Sequence, residues 1–140
     1  MMMVMSYTVD GKEYLVLNAS AEGSFLPGMA GVRLLADRHQ GVGADRVLVF
    51  TGTKAEPSLL VYTPEGEAAE AEPVDYRVLV RYLAEKHLAA SPAEIAHAFG
   101  DRAFVEAFEG GEVARVEFRV TASFVARMRE ADERAERLAG

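Results

Sequence analysis

The chain reads as an α+β domain, and three observations predict it. Short β-rich runs recur, of which Glu13–Ala19 and Arg46–Thr51 are the clearest. Segments with apolar residues at helical spacing are inserted among them. Turns containing Gly or Pro separate the pieces, with no internal repeat, low-complexity tract or linker. A length of 140 residues fits one domain, residues 1–140, with enough chain to bury a core.

In order, Met3–Val9 and Glu13–Ala19 flank Asp10-Gly11, a pair that favours a type I′ hairpin. Ala19–Gly28 is loop-like. Met29–Arg38 carries Met29, Val32, Leu35 and Ala36 at helix spacing, and Gly41 and Gly43 stop it. Arg46–Thr51 reads as a buried strand, Gly52–Pro57 as a turn region and Ser58–Thr63 as another strand. Pro64-Glu65-Gly66 is a turn, and Glu67–Ala71 a short strand. Val74–His87 is an amphipathic helix with Val74, Val78, Leu79, Tyr82 and Leu83 on one face. Pro73 suits its first turn, and Asp75 its positive end. Ala93–Ala98, Arg102–Phe108 and Val113–Val120 follow as strands, with Gly110-Gly111 as a hairpin turn. Thr121 or Ser123 caps a last helix, about 122–138, whose stripe is Phe124, Val125, Met128, Ala131, Ala135 and Leu138. Its mixed Arg and Glu residues form an exposed face.

A net charge of -7 gives the chain no electrostatic reason to seek nucleic acid or an anionic membrane. The absence of cysteine excludes disulfides, thiolate catalysis and Cys-based metal sites. No stretch approaches the ~20 apolar residues of a membrane span. The opening MMMVM lacks the basic and long apolar parts of a signal peptide, so a cytoplasmic location is expected. The repeated Met leaves the start codon open. A single Asn (Asn18) and a single Gln (Gln40) give a thermophile-like composition, which a GC-rich genome also produces. His39, His87 and His97 are scattered without ligand spacing, so no metal is expected. Glu65, Glu67, Glu70 and Glu72 alternate as a solvated strand edge does, rather than as paired catalytic carboxylates.

The stretch Gly41-Val42-Gly43-Ala44-Asp45-Arg46 fails the dinucleotide fingerprint. Arg46 stands at the third glycine, and the loop precedes a strand instead of a helix. It lacks the Gly-Lys-Ser/Thr ending of a phosphate-binding loop, so a helix-to-strand turn is the plainer reading.

Joined to other segments, the loop acquires a resemblance. Leu35-Ala36-Asp37-Arg38-His39-Gln40-Gly41-Val42-Gly43-Ala44-Asp45 is similar to the "ADRxxGxGAD" segment of diaminopimelate epimerases. Val61-Tyr62-Thr63-Pro64-Glu65-Gly66-Glu67-Ala68-Ala69-Glu70 falls where that family has a strand and then "FNxDGSEAxxCGNGxRC". Arg77 falls on the family's Arg, followed by the apolar helix residues Val78 to Tyr82. The opening Gly11-Lys12-Glu13-Tyr14 resembles "GNDF". The resemblance runs from about residue 5 to 120 and implies one of the family's two domains, a curved mixed or antiparallel sheet wrapped around a central helix, here about Val74–His87. In that family, which serves lysine biosynthesis without a cofactor, one cysteine from each domain faces the substrate α-carbon in the cleft between them.

The departures fall on the positions that the resemblance implies to be functional. Glu72 stands at the catalytic cysteine, and Pro73, Val74 and Asp75 replace the Gly-Asn-Gly whose N–H groups receive the substrate carboxylate. Lys12 and Thr63 replace two asparagines, and Arg46 stands where the family carries Gly or Gln. Gly41, Gly43, Asp45, Gly66 and Arg77 match and serve turns and helix packing. The expectation is a non-catalytic, half-length relative used for binding or assembly, with no cofactor. A homodimer that imitates the two-domain arrangement is expected, with a small carboxylate or amino acid as the ligand class. The alternative is an isomerase using Glu72 as the base in a dimer cleft, with Lys12 or Arg46 across from it.

Overall fold

The computed structural model describes residues 2–20, 25–52, 57–86 and 114–139. Among these residues the chain is mixed α+β, with a six-stranded mixed sheet and three helices. The strands are β1 (Met2–Val9), β2 (Lys12–Asn18), β3 (Arg46–Gly52), β4 (Pro57–Tyr62), β5 (Ala68–Ala69) and β6 (Ala114–Val120). The helices are α1 (Met29–Ala36), α2 (Pro73–Glu85) and α3 (Ala122–Ala139). The sheet order is β5-β4-β3-β2-β1-β6. Among the described strands only the β2–β3 pair is parallel; the other pairings are antiparallel. The crossover that makes β2 and β3 parallel contains α1.

Both faces of the sheet are apolar, which explains why β2 and β3 read as unbroken hydrophobic runs. Tyr14 and Val16 of β2, with Leu48 and Phe50 of β3, point to α2 and meet Val78, Leu79, Tyr82 and Leu83. Leu15, Leu17, Val47 and Val49 point the other way, to Val32 and Leu35 of α1 and Val125 and Met128 of α3. Strand alternation thus sorts one run into two cores.

The Asp10-Gly11 turn has φ of 50° and 80°, the two positive values of a type I′ hairpin. Helix α1 ends at Ala36, its last apolar position and two residues before the expected Arg38, because Asp37 turns extended at φ -67° and ψ 128°. Helix α2 begins at Pro73 and closes at Glu85, with Lys86 as its C-cap. Thr121 is the cap of α3, its hydroxyl accepting from the Phe124 N–H at 3.2 Å. The expected strands Ala93–Ala98 and Arg102–Phe108, the Gly110-Gly111 turn, and His87 and His97 lie outside the described residues. No described helix is long and apolar enough to cross a membrane.

Candidate functional site

The glycine loop is a closed hydrogen-bonded turn. The N–H of Gly41 donates to the Asp37 carbonyl (2.9 Å), those of Val42 and Gly43 to Leu35 (2.8 and 3.2 Å), and that of Ala44 to Ala36 (3.2 Å). The Asp37 carboxylate accepts from the N–H groups of His39 and Gln40 at 2.8 and 2.9 Å. Those two bonds, Gln40 first, hold its pKa below the ordinary carboxylate value. A phosphate cradle needs backbone donors aimed outward, and the donors of this loop are already used. A Cβ at position 41 would lie 2.3 Å from the Leu34 carbonyl oxygen, and Gly43 sits at φ +87°. Both positions therefore call for glycine.

Asp45 clasps the loop to the sheet. Its N–H donates to the Glu13 carbonyl, and its carboxylate accepts from the Glu13 N–H, each at 2.8 Å. Arg38 adds a 2.6 Å bridge to Glu13 and a 3.3 Å bridge to Asp45. Gly66 packs where a Cβ would lie 2.2 Å from the Met29 carbonyl oxygen, so the β4–β5 turn rests on the start of α1.

The start of α2 gathers the charged positions. Asp75 is fully buried, and Arg46 grips it with two donors: Nε to Oδ1 at 2.8 Å and Nη2 to Oδ2 at 2.5 Å. This is the bidentate fork that makes Arg–carboxylate pairs strong. Arg46 Nη2 also reaches the Glu70 carbonyl at 3.2 Å. The hydrogen bond to Asp75 raises the Arg46 pKa further above its ordinary value. Asp75 Oδ2 also accepts from the Glu72 N–H at 2.8 Å, the N3 half of a capping box. Tyr14, paired with Arg46 in the β2–β3 ladder, has its pKa raised by burial and then by the Asp75 charge.

The remaining sequence candidates are less engaged. Glu72 and Pro73 are exposed, and Val74 is partly buried against the α2-side core. Lys12 pairs with Val9 at the first position of β2; it is exposed and lies on the α2 side of the sheet. The Thr63 hydroxyl is spent within its own turn, accepting from the Glu67 N–H at 3.2 Å. Arg77 lies partly buried along α2. Among the described residues, no three His, Cys, Asp or Glu side chains are placed to hold a metal ion.

Two polar clusters were not read from the sequence. Glu85, at the end of α2, accepts from Tyr7 Oη (2.9 Å), Arg81 Nε (2.8 Å) and Arg115 Nη1 (2.6 Å). Burial pushes the Glu85 pKa up, but the three hydrogen bonds outweigh it, and the net shift is downward. Burial and the bond to Glu85 raise the pKa of Tyr7. Only the Arg81–Glu85 spacing of four residues was visible in advance. The second cluster is Asp132 on α3, whose carboxylate accepts from the N–H groups of Gly28 and Gly31 at 2.8 and 2.7 Å. It caps α1 from another element. The signal was a helix start with Gly28 at the cap and no Ser, Thr, Asp or Asn there.

No family model matches the chain. Diaminopimelate epimerase 2 of Nostoc sp. is 30% identical to it over 79 residues, which is 55% of this chain and 27% of that protein. The chain therefore spans about a quarter of the length of the curated relative it matches, which points to a distant relationship with an epimerase.

Proposed function

We propose that the chain is a diverged, non-catalytic epimerase-like domain that acts through binding or assembly, as a homodimer. In this reading α2 is the counterpart of the family's central helix, and the sheet curves around it. The observation that carries the reading is the Arg46–Asp75 pair at the start of α2. By the family resemblance, this is where the substrate carboxylate would be received. Here a carboxylate of the chain itself takes the Glu72 N–H and the guanidinium fork, and Pro73 brings no N–H. A substrate anion would have to displace a fully buried, doubly bonded side chain. Glu72 is exposed and lacks the enclosure in which a carboxylate base works, and the chain contains no cysteine.

The test is α-proton exchange in D2O, followed by NMR, with diaminopimelate, a panel of amino acids and related hydroxy acids. No deuterium incorporation is expected. Incorporation that disappears in Glu72→Ala would replace this reading with a cysteine-free isomerase. Sedimentation equilibrium tests the dimer separately, and a monomer at all concentrations would remove that part.

A further inference from the structure

Across the sheet from the Arg46–Asp75 group, α1 and α3 enclose a half-open groove of about 430 Å3. That volume falls within the roughly 300–1,000 Å3 of small-molecule sites. Its apolar lining comes from Ala30 and Leu34 of α1 and Ala131, Ala135 and Leu138 of α3. The alanines leave the space that larger side chains would fill. This part of the α3 stripe is not consumed by the core: Val125 and Met128 are its buried residues, whereas Leu138 is 83% exposed.

The polar lining, Arg33, Arg134, Asp37 and Gln40, holds more cations than anions. Arg33 of α1 and Arg134 of α3 line the groove, one from each helix. Among the described residues Arg33 makes no ion pair. Arg134 bridges Glu130 at 2.9 Å, but that pair is exposed on both sides and is easily exchanged for another anion. The carboxylate in the lining, Asp37, is already bonded to two backbone N–H groups. A chain of net charge -7 thus presents two arginines against one carboxylate, Asp37, over an apolar floor.

The geometry points to a binding site for a small amphiphilic carboxylate, with its hydrocarbon body on the alanine floor and its head group held by Arg33 and Arg134. Guanidinium forks match a carboxylate in shape as well as charge. The α1 wall is eight residues, roughly 12 Å of helix, which suits a medium-length hydrocarbon better than a docked helix.

The experiment is a titration of the full chain with decanoate, below micelle formation, followed by 1H–15N spectra. Decyltrimethylammonium, with the same tail and the opposite head, is the matched control. Decanoate is expected to give saturable shifts at Ala30, Leu34, Ala131 and Ala135, with a Kd at least tenfold below that of the cationic control. Arg33→Glu is expected to weaken decanoate at least tenfold while leaving the thermal midpoint unchanged. Ala135→Trp, which fills the groove from an exposed position, is expected to abolish the shifts. Equal binding of the two amphiphiles, insensitivity to both substitutions, or shifts spread over the whole surface would each overturn the proposal, as would no binding at all.

Discussion

Arg46 and Asp75 form the least replaceable polar pair among the described residues. Asp75 is completely buried and the Arg46 side chain is 17% exposed, so removing the guanidinium strands a carboxylate away from water. Arg46→Ala is expected to cost about 3–5 kcal/mol in urea unfolding, the usual penalty for breaking a buried pair. The double variant Arg46→Met/Asp75→Leu should be less destabilised than Arg46→Ala alone, because no charge is left unpaired. A double variant as unstable as the single one would mean that Arg46 acts mainly through packing. The positions of this pair could be marked in the sequence, but not their mutual grip. They lie 29 residues apart, on a strand and at a helix start, and only the packing of α2 across the sheet brings them together. The glycine loop was easier to read, because Gly41 and Gly43 act within a few residues of themselves. The clasp between Asp45 and Glu13 was hidden for the same reason of distance.

Helices and strands were legible where their period is unmixed. The strands β2 and β3 follow directly from short unbroken apolar runs, and the helix α2 from its 3.6-residue stripe. What joins elements was less legible, because a cap or clip supplied from a distant segment leaves no local pattern. Asp132→Ala removes the cap of α1 and is expected to cost about 1–2 kcal/mol, read as a lowered urea midpoint at unchanged slope. An unchanged midpoint would mean that water caps α1 equally well. The Glu85 clip ties α2 to Tyr7 of β1 and Arg115 of β6, and its pKa is depressed in the folded chain. Its stabilisation is therefore complete above the unfolded carboxyl value, about 4.3, and is lost as pH falls through the lower folded value. Glu85→Gln is expected to be less stable than the parent at neutral pH, with the difference shrinking under acid. A pH-independent difference would assign the effect to shape rather than charge.

At the scale of the molecule, one sheet carries two cores, and the strands β1, β2 and β3 feed both. Leu15 and Val16 are neighbours in sequence, yet they belong to opposite sides, so neither core can loosen without disturbing the backbone that supports the other. The described residues should then unfold as a single cooperative unit, in spite of the helices on the two faces. Leu79 on α2 and Met128 on α3 are both fully buried and lie across the sheet from each other. Leu79→Ala and Met128→Ala are each expected to cost about 2–5 kcal/mol through lost contacts and cavity formation. Having no shared partners, they should add in the double variant within about 0.5 kcal/mol. Urea unfolding followed by far-ultraviolet circular dichroism, and separately by amide signals on each face, should give coincident transitions for both single variants. If Met128→Ala releases α3 and its face while the α2 face remains folded, the two cores are separate units. The groove between α1 and α3 would then belong to a part of the molecule that opens on its own.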